Sequence, residues 1–323
     1  MFLQVKMPVK DRDAFRLLWW PENDTSRAPD EYRLTVHPFG TVSSPFCANF
    51  ALRETLKRFD GTSSLLGRAM DHFYVDDFLC SFDDPNAATL YMTKLLTTLN
   101  AGGFNLTKWT SNNQEVLNVI PKSEKMECKK EPLGSSSQTE RTLGLQWKPR
   151  GDEFIFILDL PKRSVTRRGI LSSVSSLYDP LGFVSPWLLP GKCLLQSLCQ
   201  RGTGWDEPLQ DDDGKRWRDW LHSLEQLGEI KIQRRLTGIG CTNDTQLHLF
   251  SDASEIGYGA VAYGCWVDAN CGRTSQILFA KARVAPLKTV SIPRLELTAA
   301  VLAVKAAGLI RRCFDRIDWE TNF

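Results

Sequence analysis

The chain has 323 residues, a formal net charge of +2, 42% hydrophobic and 24% charged residues. These figures describe a folded chain of about two domains and exclude low-complexity disorder and a strongly basic or acidic tail. Nine cysteines, an odd number with no CxxC pair, argue against a disulfide framework or structural zinc and for an intracellular compartment. The longest apolar stretches are broken by Pro180, Pro186, Pro190 or Lys305, so neither a leader peptide nor a membrane span is expected.

Met1-Phe2-Leu3-Gln4-Val5 opens in mid-pattern, with apolar residues already suited to a core. Ala14 to Trp20 and Glu31 to Val36 predict two paired strands joined by a polar loop containing Pro21 and Pro29. The turn-forming run His37-Pro38-Phe39-Gly40-Thr41-Val42-Ser43-Ser44-Pro45-Phe46 then opens a helix expected from Cys47 to Phe59. Its predicted core stripe is Phe50, Leu52, Leu56 and Phe59.

The next run, His72-Phe73-Tyr74-Val75-Asp76-Asp77-Phe78-Leu79-Cys80, is apolar but for two adjacent carboxylates. Aromatic and β-branched neighbours predict two short strands with Asp76 and Asp77 at their tight connection. Adjacent aspartates repel unless cations or donors neutralise them, which suits them as hard-oxygen ligands of the kind Mg²⁺ shares with phosphates. A solvated Asp-Asp turn reads the same way, so the pair alone does not decide. A helix expected from Ala87 to Leu99, with Leu90, Met92, Leu95, Leu96 and Leu99 as its stripe, leads to Asn100-Ala101-Gly102-Gly103-Phe104 and then Lys108-Trp109.

Residues 111–142 are polar, and Gly134-Ser135-Ser136-Ser137 reads as a mobile loop. A hairpin is expected from Leu143 to Trp147 and Phe154 to Leu158, about a Pro149-Arg150-Gly151-Asp152 turn. Basic residues gather at Lys162, Arg163, Arg167 and Arg168, and at Lys231, Arg234 and Arg235, as phosphate-facing patches or as solvated faces. A block from Thr166 to Gln200 contains Tyr178-Asp179-Pro180-Leu181-Gly182-Phe183, and a Trp-rich helix follows from Lys215 to Leu227. Beyond it, strands are expected over Gln246–Asp252, Gly257–Tyr263 and Gln276–Ala280, then a helix opened by Pro293 and carrying Glu296. The helix dipole alone would favour a glutamate there.

In order and spacing, the Gly40 loop with its helix, the Tyr74-Val75-Asp76-Asp77 hairpin and the Gly103-Phe104 turn with Lys108 resemble the palm of reverse transcriptases. The wording is most similar to the BEL/Pao class of long-terminal-repeat retrotransposons. Asp252-Ala253-Ser254, Gly257-Tyr258-Gly259-Ala260-Val261 and Arg294-Leu295-Glu296-Leu297 resemble retroelement ribonuclease H. The implied fold class is α+β and α/β: a palm-like sheet with helices, a helical thumb/connection, then a partial ribonuclease H-like fold. The implied segments are a palm over 1–120 truncated at its N-terminus, thumb/connection over 121–240, and a nuclease over 245–323 truncated at its C-terminus.

The resemblance further implies that Asp76, Asp77, Asp252 and Glu296 are catalytic metal ligands for Mg²⁺ or Mn²⁺. Phe2 would lie under the incoming sugar, Gly40 would admit the new base pair, and Lys108 would meet the departing pyrophosphate. Implied partners are an RNA template, a DNA primer, deoxynucleotides and an RNA–DNA hybrid, in the cytoplasm, the nucleus or virus-like particles, with the oligomeric state left open. Asp318, before the family's next aspartate-bearing strand, reads as solvated. The isolated fragment is expected to be inactive, which makes a nucleic-acid-binding relic the alternative. The family also names the Tyr-Asp-Pro-Leu-Gly-Phe block a Pao peptidase, yet an aspartic protease needs an Asp-Ser/Thr-Gly turn. Asp60-Gly61-Thr62 is out of order, and Asp252-Ala253-Ser254 lacks the glycine.

Overall fold

The computed structural model describes residues 1–59, 64–126, 140–142, 145–158, 163–236, 244–267 and 272–323. The Gly134 to Ser137 tract, Asp60-Gly61-Thr62, Leu143-Gly144 and Lys162 lie outside them. The chain divides into two compact units, Met1–Ser136 and Ser137–Phe323. No helix among the described residues is long and apolar enough to cross a membrane.

In the first unit, β1 (Arg16–Trp19) and β2 (Asp30–Arg33) pair antiparallel, as the sequence predicts. Helix α1 (Ser44–Phe59) starts earlier than expected because the Ser44 hydroxyl donates to the Pro38 carbonyl at 2.7 Å, folding the preceding loop over its first turn. A two-stranded hairpin, β3 (Phe73–Tyr74) and β4 (Asp77–Phe78), precedes α2 (Pro85–Ala101). Asp84 caps α2 by accepting from the Ala87 amide at 2.8 Å, and Pro85 occupies the first turn, where its missing N–H costs nothing. Short α3 (Gln114–Val119) packs on α2 through Val116.

The core of this unit joins Leu52 and Leu56 of α1 to Tyr91, Leu95 and Leu99 of α2. Of the expected stripe residues, Phe50 and Phe59 of α1 and Leu90 of α2 are exposed, and Met92 joins a separate cluster with Val116 and Ile120. The buried set of α1 is Ser44, Ala48, Leu52, Thr55 and Leu56, a helical row that turns Phe50 to the other side.

Among its described residues the second unit contains two four-stranded sheets. Strands β5 (Glu140–Thr142), β6 (Leu145–Lys148), β7 (Glu153–Ile155) and β8 (Lys231–Gln233) pair antiparallel in that order. Asp152 sits at the β6–β7 turn with φ +52° and ties three elements together. Its carboxylate accepts from Trp147 Nε1 at 3.0 Å and from the Arg234 guanidinium at 2.6 and 3.0 Å. Helices α4 (Arg167–Ser176), α5 (Ser185–Gln200) and α6 (Asp211–Ser223) bury Ile170, Leu194, Leu198, Trp217 and Trp220. Of the basic residues read as phosphate-facing patches or as solvated faces, Arg167 lies 4.0 Å over the Trp205 ring and Arg168 forks onto Asp206 at 2.7 and 3.0 Å.

The other sheet runs β11-β10-β9-β12, from β9 (Thr245–Ala253), β10 (Gly257–Val267), β11 (Arg273–Val284) and β12 (Glu320–Asn322). The first three strands form an antiparallel meander, and β12 returns after α7 (Ile292–Cys313) to lie parallel to β9. Ala303, Ala306 and Ala307 let α7 settle closely on Leu247, Leu249 and Ala262.

The helices and this sheet meet along the edge strand β11. Leu181 accepts from the Ala280 amide at 2.8 Å and Gln196 Nε2 donates to the Ala285 carbonyl at 2.7 Å, so backbone groups of the edge are satisfied from outside. Asp179 shapes that contact by accepting from the Val184 amide at 2.9 Å, and burial holds its carboxyl above the usual range. The expected segments 121–240 and 245–323 therefore touch within one unit.

At the centre of the junction Gly182 has φ +81°, and a Cβ there would lie 1.8 Å from the Ala280 carbonyl oxygen. Backbone strain and a backbone clash combine, so Gly182→Ala is expected to destabilise the second unit by about 2–4 kcal/mol. Urea unfolding checks this; an unchanged midpoint would refute the junction as drawn.

Candidate metal and nucleic-acid site

The site begins with the shortest of hairpins. Tyr74 pairs with Asp77 and Phe73 with Phe78, leaving only Val75 and Asp76 in the loop. Asp76 is thus in the turn, as expected, while Asp77 is the first residue of β4 rather than part of the connection. Val75 has φ +57°, a conformation costly for a β-branched residue and tolerated only where surrounding contacts enforce it. Those contacts come from Phe78, whose ring lies 5.0 Å from Phe73, 6.3 Å from Tyr91 and 6.1 Å from Trp109.

Both carboxylates are exposed. Partial burial, and then the neighbouring Asp76 charge, hold the Asp77 carboxyl above the ordinary range, while the Lys108 ammonium draws it back down. Lys108 comes into electrostatic reach because Trp109 is fixed on both sides. Its ring packs on Phe78 and its backbone exchanges bonds with Glu124 and Met126 at 2.9 and 3.1 Å. Lys108 itself takes φ +59° to make that approach. Sequence reasoning found the lysine but missed Trp109 and Phe78 as the residues that hold it; the Lys108-Trp109 adjacency was the available signal.

Phe2 packs edge-on against Phe39, with ring centroids 5.2 Å apart, directly beside Gly40. Gly40 has φ +85° and open space where a side chain would stand, which lets a ligand approach the backbone. Phe39, two-thirds exposed, is the other residue that sequence reasoning passed over.

In the second unit Asp252 is exposed near the end of β9, opposite Gly259 on β10, so no side chain stands directly across from it. Glu296 is exposed in the first turns of α7, next to buried Leu295. The two residues thus come from neighbouring elements, since α7 packs across β9 and β10. Asp318 is exposed in the segment before β12. Among the described residues no three His, Cys, Asp or Glu side chains cluster as a metal-holding group. What fits a divalent cation is the Asp76–Asp77 pair: adjacent hard-oxygen donors, one of them raised by partial burial and then by the other's charge, a partial ligand set with excess negative charge.

Residues 166–321 match the family model described as the Pao retrotransposon-like RNaseH-like domain. Two solved structures align over 94% of the chain at 14% identity: a foamy viral protease-reverse transcriptase dRH with double-stranded DNA, TM-score 0.56, and the foamy viral protease-reverse transcriptase with double-stranded DNA, TM-score 0.52. The chain spans 45% and 54% of those two proteins, about half their length. The likeness is one of fold. A search of curated proteins returns no match.

The electrostatics of the hairpin give a prediction of sign. Lys108→Met removes the group that lowers the Asp77 pKa, so that pKa should rise; Asp76→Asn removes a group that raises it, so it should fall. Carboxyl carbon chemical shifts followed by NMR titration read both changes. A Lys108→Met titration superimposable on the unmodified one would show that the ammonium does not act there.

Proposed function

We propose, from the match of residues 166–321 to the model of the Pao retrotransposon-like RNaseH-like domain, that this chain is a portion of a BEL/Pao-type Pol protein, carrying a reverse transcriptase palm ahead of its ribonuclease H. The segments of that reading are a palm over 1–120, thumb and connection over 121–240 and the nuclease over 245–323. The observation that carries it is the hairpin tip, where Asp76 and Asp77 stand side by side with Lys108 acting on Asp77.

Asp76 and Asp77 would hold Mg²⁺ or Mn²⁺. Bound there, a divalent cation supplies orientation of nucleotide phosphates and offsets the charge that builds up during in-line attack by a primer 3′-hydroxyl. The Phe2–Phe39 pair offers an apolar floor to the nucleotide sugar, and Gly40 leaves room for the new base pair. Lys108, whose charge already acts on the Asp77 carboxyl, is suited to neutralise or protonate departing pyrophosphate. In the nuclease, Asp252 and Glu296 are the matching carboxylates, acting on the RNA strand of an RNA–DNA hybrid. The foamy viral proteins were captured on double-stranded DNA, and a primer–template duplex is the corresponding partner here.

A second reading is a nucleic-acid-binding relic without turnover. It is favoured by the finding that, among the described residues, no three His, Cys, Asp or Glu side chains form a group that could hold a metal ion. The peptidase reading gains nothing: Asp252-Ala253-Ser254 runs out of an ordinary β-strand.

Mg²⁺-dependent primer extension and cleavage of a labelled RNA–DNA hybrid test the proposal. Any extension the chain supports should fall with Asp76→Asn, and any cleavage with Asp252→Asn or Glu296→Gln, each by about 100-fold or more, as expected for losing one cation ligand. Equal background from the unmodified chain and its variants would leave the relic reading in place of the enzyme.

A further inference from the structure

Helix α1 buries one face and exposes aromatic rings on the opposite one: Phe46 is 73% and Phe50 57% exposed, and Val42, in the loop just before the helix, is 99% exposed. Continuing the same helical row, at i, i+4, i+7 and i+11 from Phe46, come Phe50, Arg53 and Lys57. The row runs from two aromatic rings to two cations, all exposed. The helix as a whole carries three basic residues, Arg53, Lys57 and Arg58, against one acidic residue, Glu54, which pairs with Lys57 at 2.9 Å.

The two rings are within 20° of parallel, with centroids 6.5 Å apart. That spacing is about two nucleotide steps of roughly 3.4 Å each. The row also begins at the loop that carries Phe39 and Gly40, which the Ser44 hydroxyl ties to the start of α1. Gly40 thus precedes Phe46 by six residues on a loop anchored to the first turn of the helix.

We propose that the outward face of α1 is a track for a single-stranded nucleic acid, with bases stacking on Phe46 and Phe50 and phosphates meeting Arg53 and Lys57. Flat exposed rings accept any base, and the cations supply a sequence-independent attraction. An apolar protein partner would use the same rings but would gain little from the basic end of the row. In function the track deepens the polymerase reading, since it would guide the unpaired template to the Gly40 loop. Binding itself needs no metal and no turnover.

Fluorescence anisotropy of a labelled oligodeoxythymidylate, in EDTA and low salt, tests the track with the full 323-residue chain. Phe46→Ser/Phe50→Ser should weaken binding by about 10- to 100-fold, the range expected for losing one or two stacked bases, with the melting temperature unchanged. Phe46→Tyr/Phe50→Tyr should retain affinity, whereas Phe46→Leu/Phe50→Leu should lose it, because leucine keeps apolar area but has no π-face. Arg53→Gln/Lys57→Gln should flatten the salt dependence. The proposal is overturned if the unmodified chain does not bind, if the leucine variant binds as well as the unmodified chain, or if the serine variant changes only the sedimentation behaviour. Because EDTA removes any role for Asp76 and Asp77, intact oligonucleotide binding with no primer extension would count against the polymerase reading alone.

Discussion

Holding two like charges together is the constraint on which the first unit turns. Asp76 and Asp77 would separate if the hairpin were free, since neighbouring carboxylates repel and Val75 gains by leaving its left-handed conformation. The opposing force is packing. Phe78 is wedged among Phe73, Tyr91 and Trp109, so opening the turn would strip apolar surface from three rings at once. A rigid base beneath a strained tip is how a small hairpin can present charge without rearranging when a ligand arrives.

The same aromatic cluster settles where the positive charge goes. Lys108 is fixed less by its own contacts than by its neighbour Trp109, which the cluster and two backbone bonds hold in place. Attraction to Asp77 then tempers the repulsion from Asp76. One hydrophobic arrangement therefore sets both the concentration of negative charge and its partial relief, which is the balance a site for phosphates and cations requires.

The second unit solves a different problem, the exposed edge of a sheet. Strand β11 would offer unpaired backbone groups to other chains, and the loop around Gly182 together with Gln196 covers them. This explains why a single family model runs from the helices into the sheet across 166–321: the helices serve as the edge cover of the sheet. The Tyr-Asp-Pro-Leu-Gly-Phe wording then has a physical meaning. Asp179 collects backbone amides, and Gly182 passes a carbonyl where no side chain fits.

Much of this was legible in the residues alone. Alternating apolar strands, the helices themselves, the turn at Asp76 and the strand-strand-strand-helix order before Glu296 follow from local periodicity and turn chemistry, which depend only on nearby residues. Which side of α1 faces the core was not legible, because Phe50 and Leu52 are equally apolar and only the position of α2 distinguishes them. Nor could the sequence place Lys108 beside Asp77, pair Phe2 with Phe39, or turn Arg168 and Arg234 towards Asp206 and Asp152. Those are contacts between residues distant in the chain. Their partners are chosen by how the elements pack, and no local pattern carries that information.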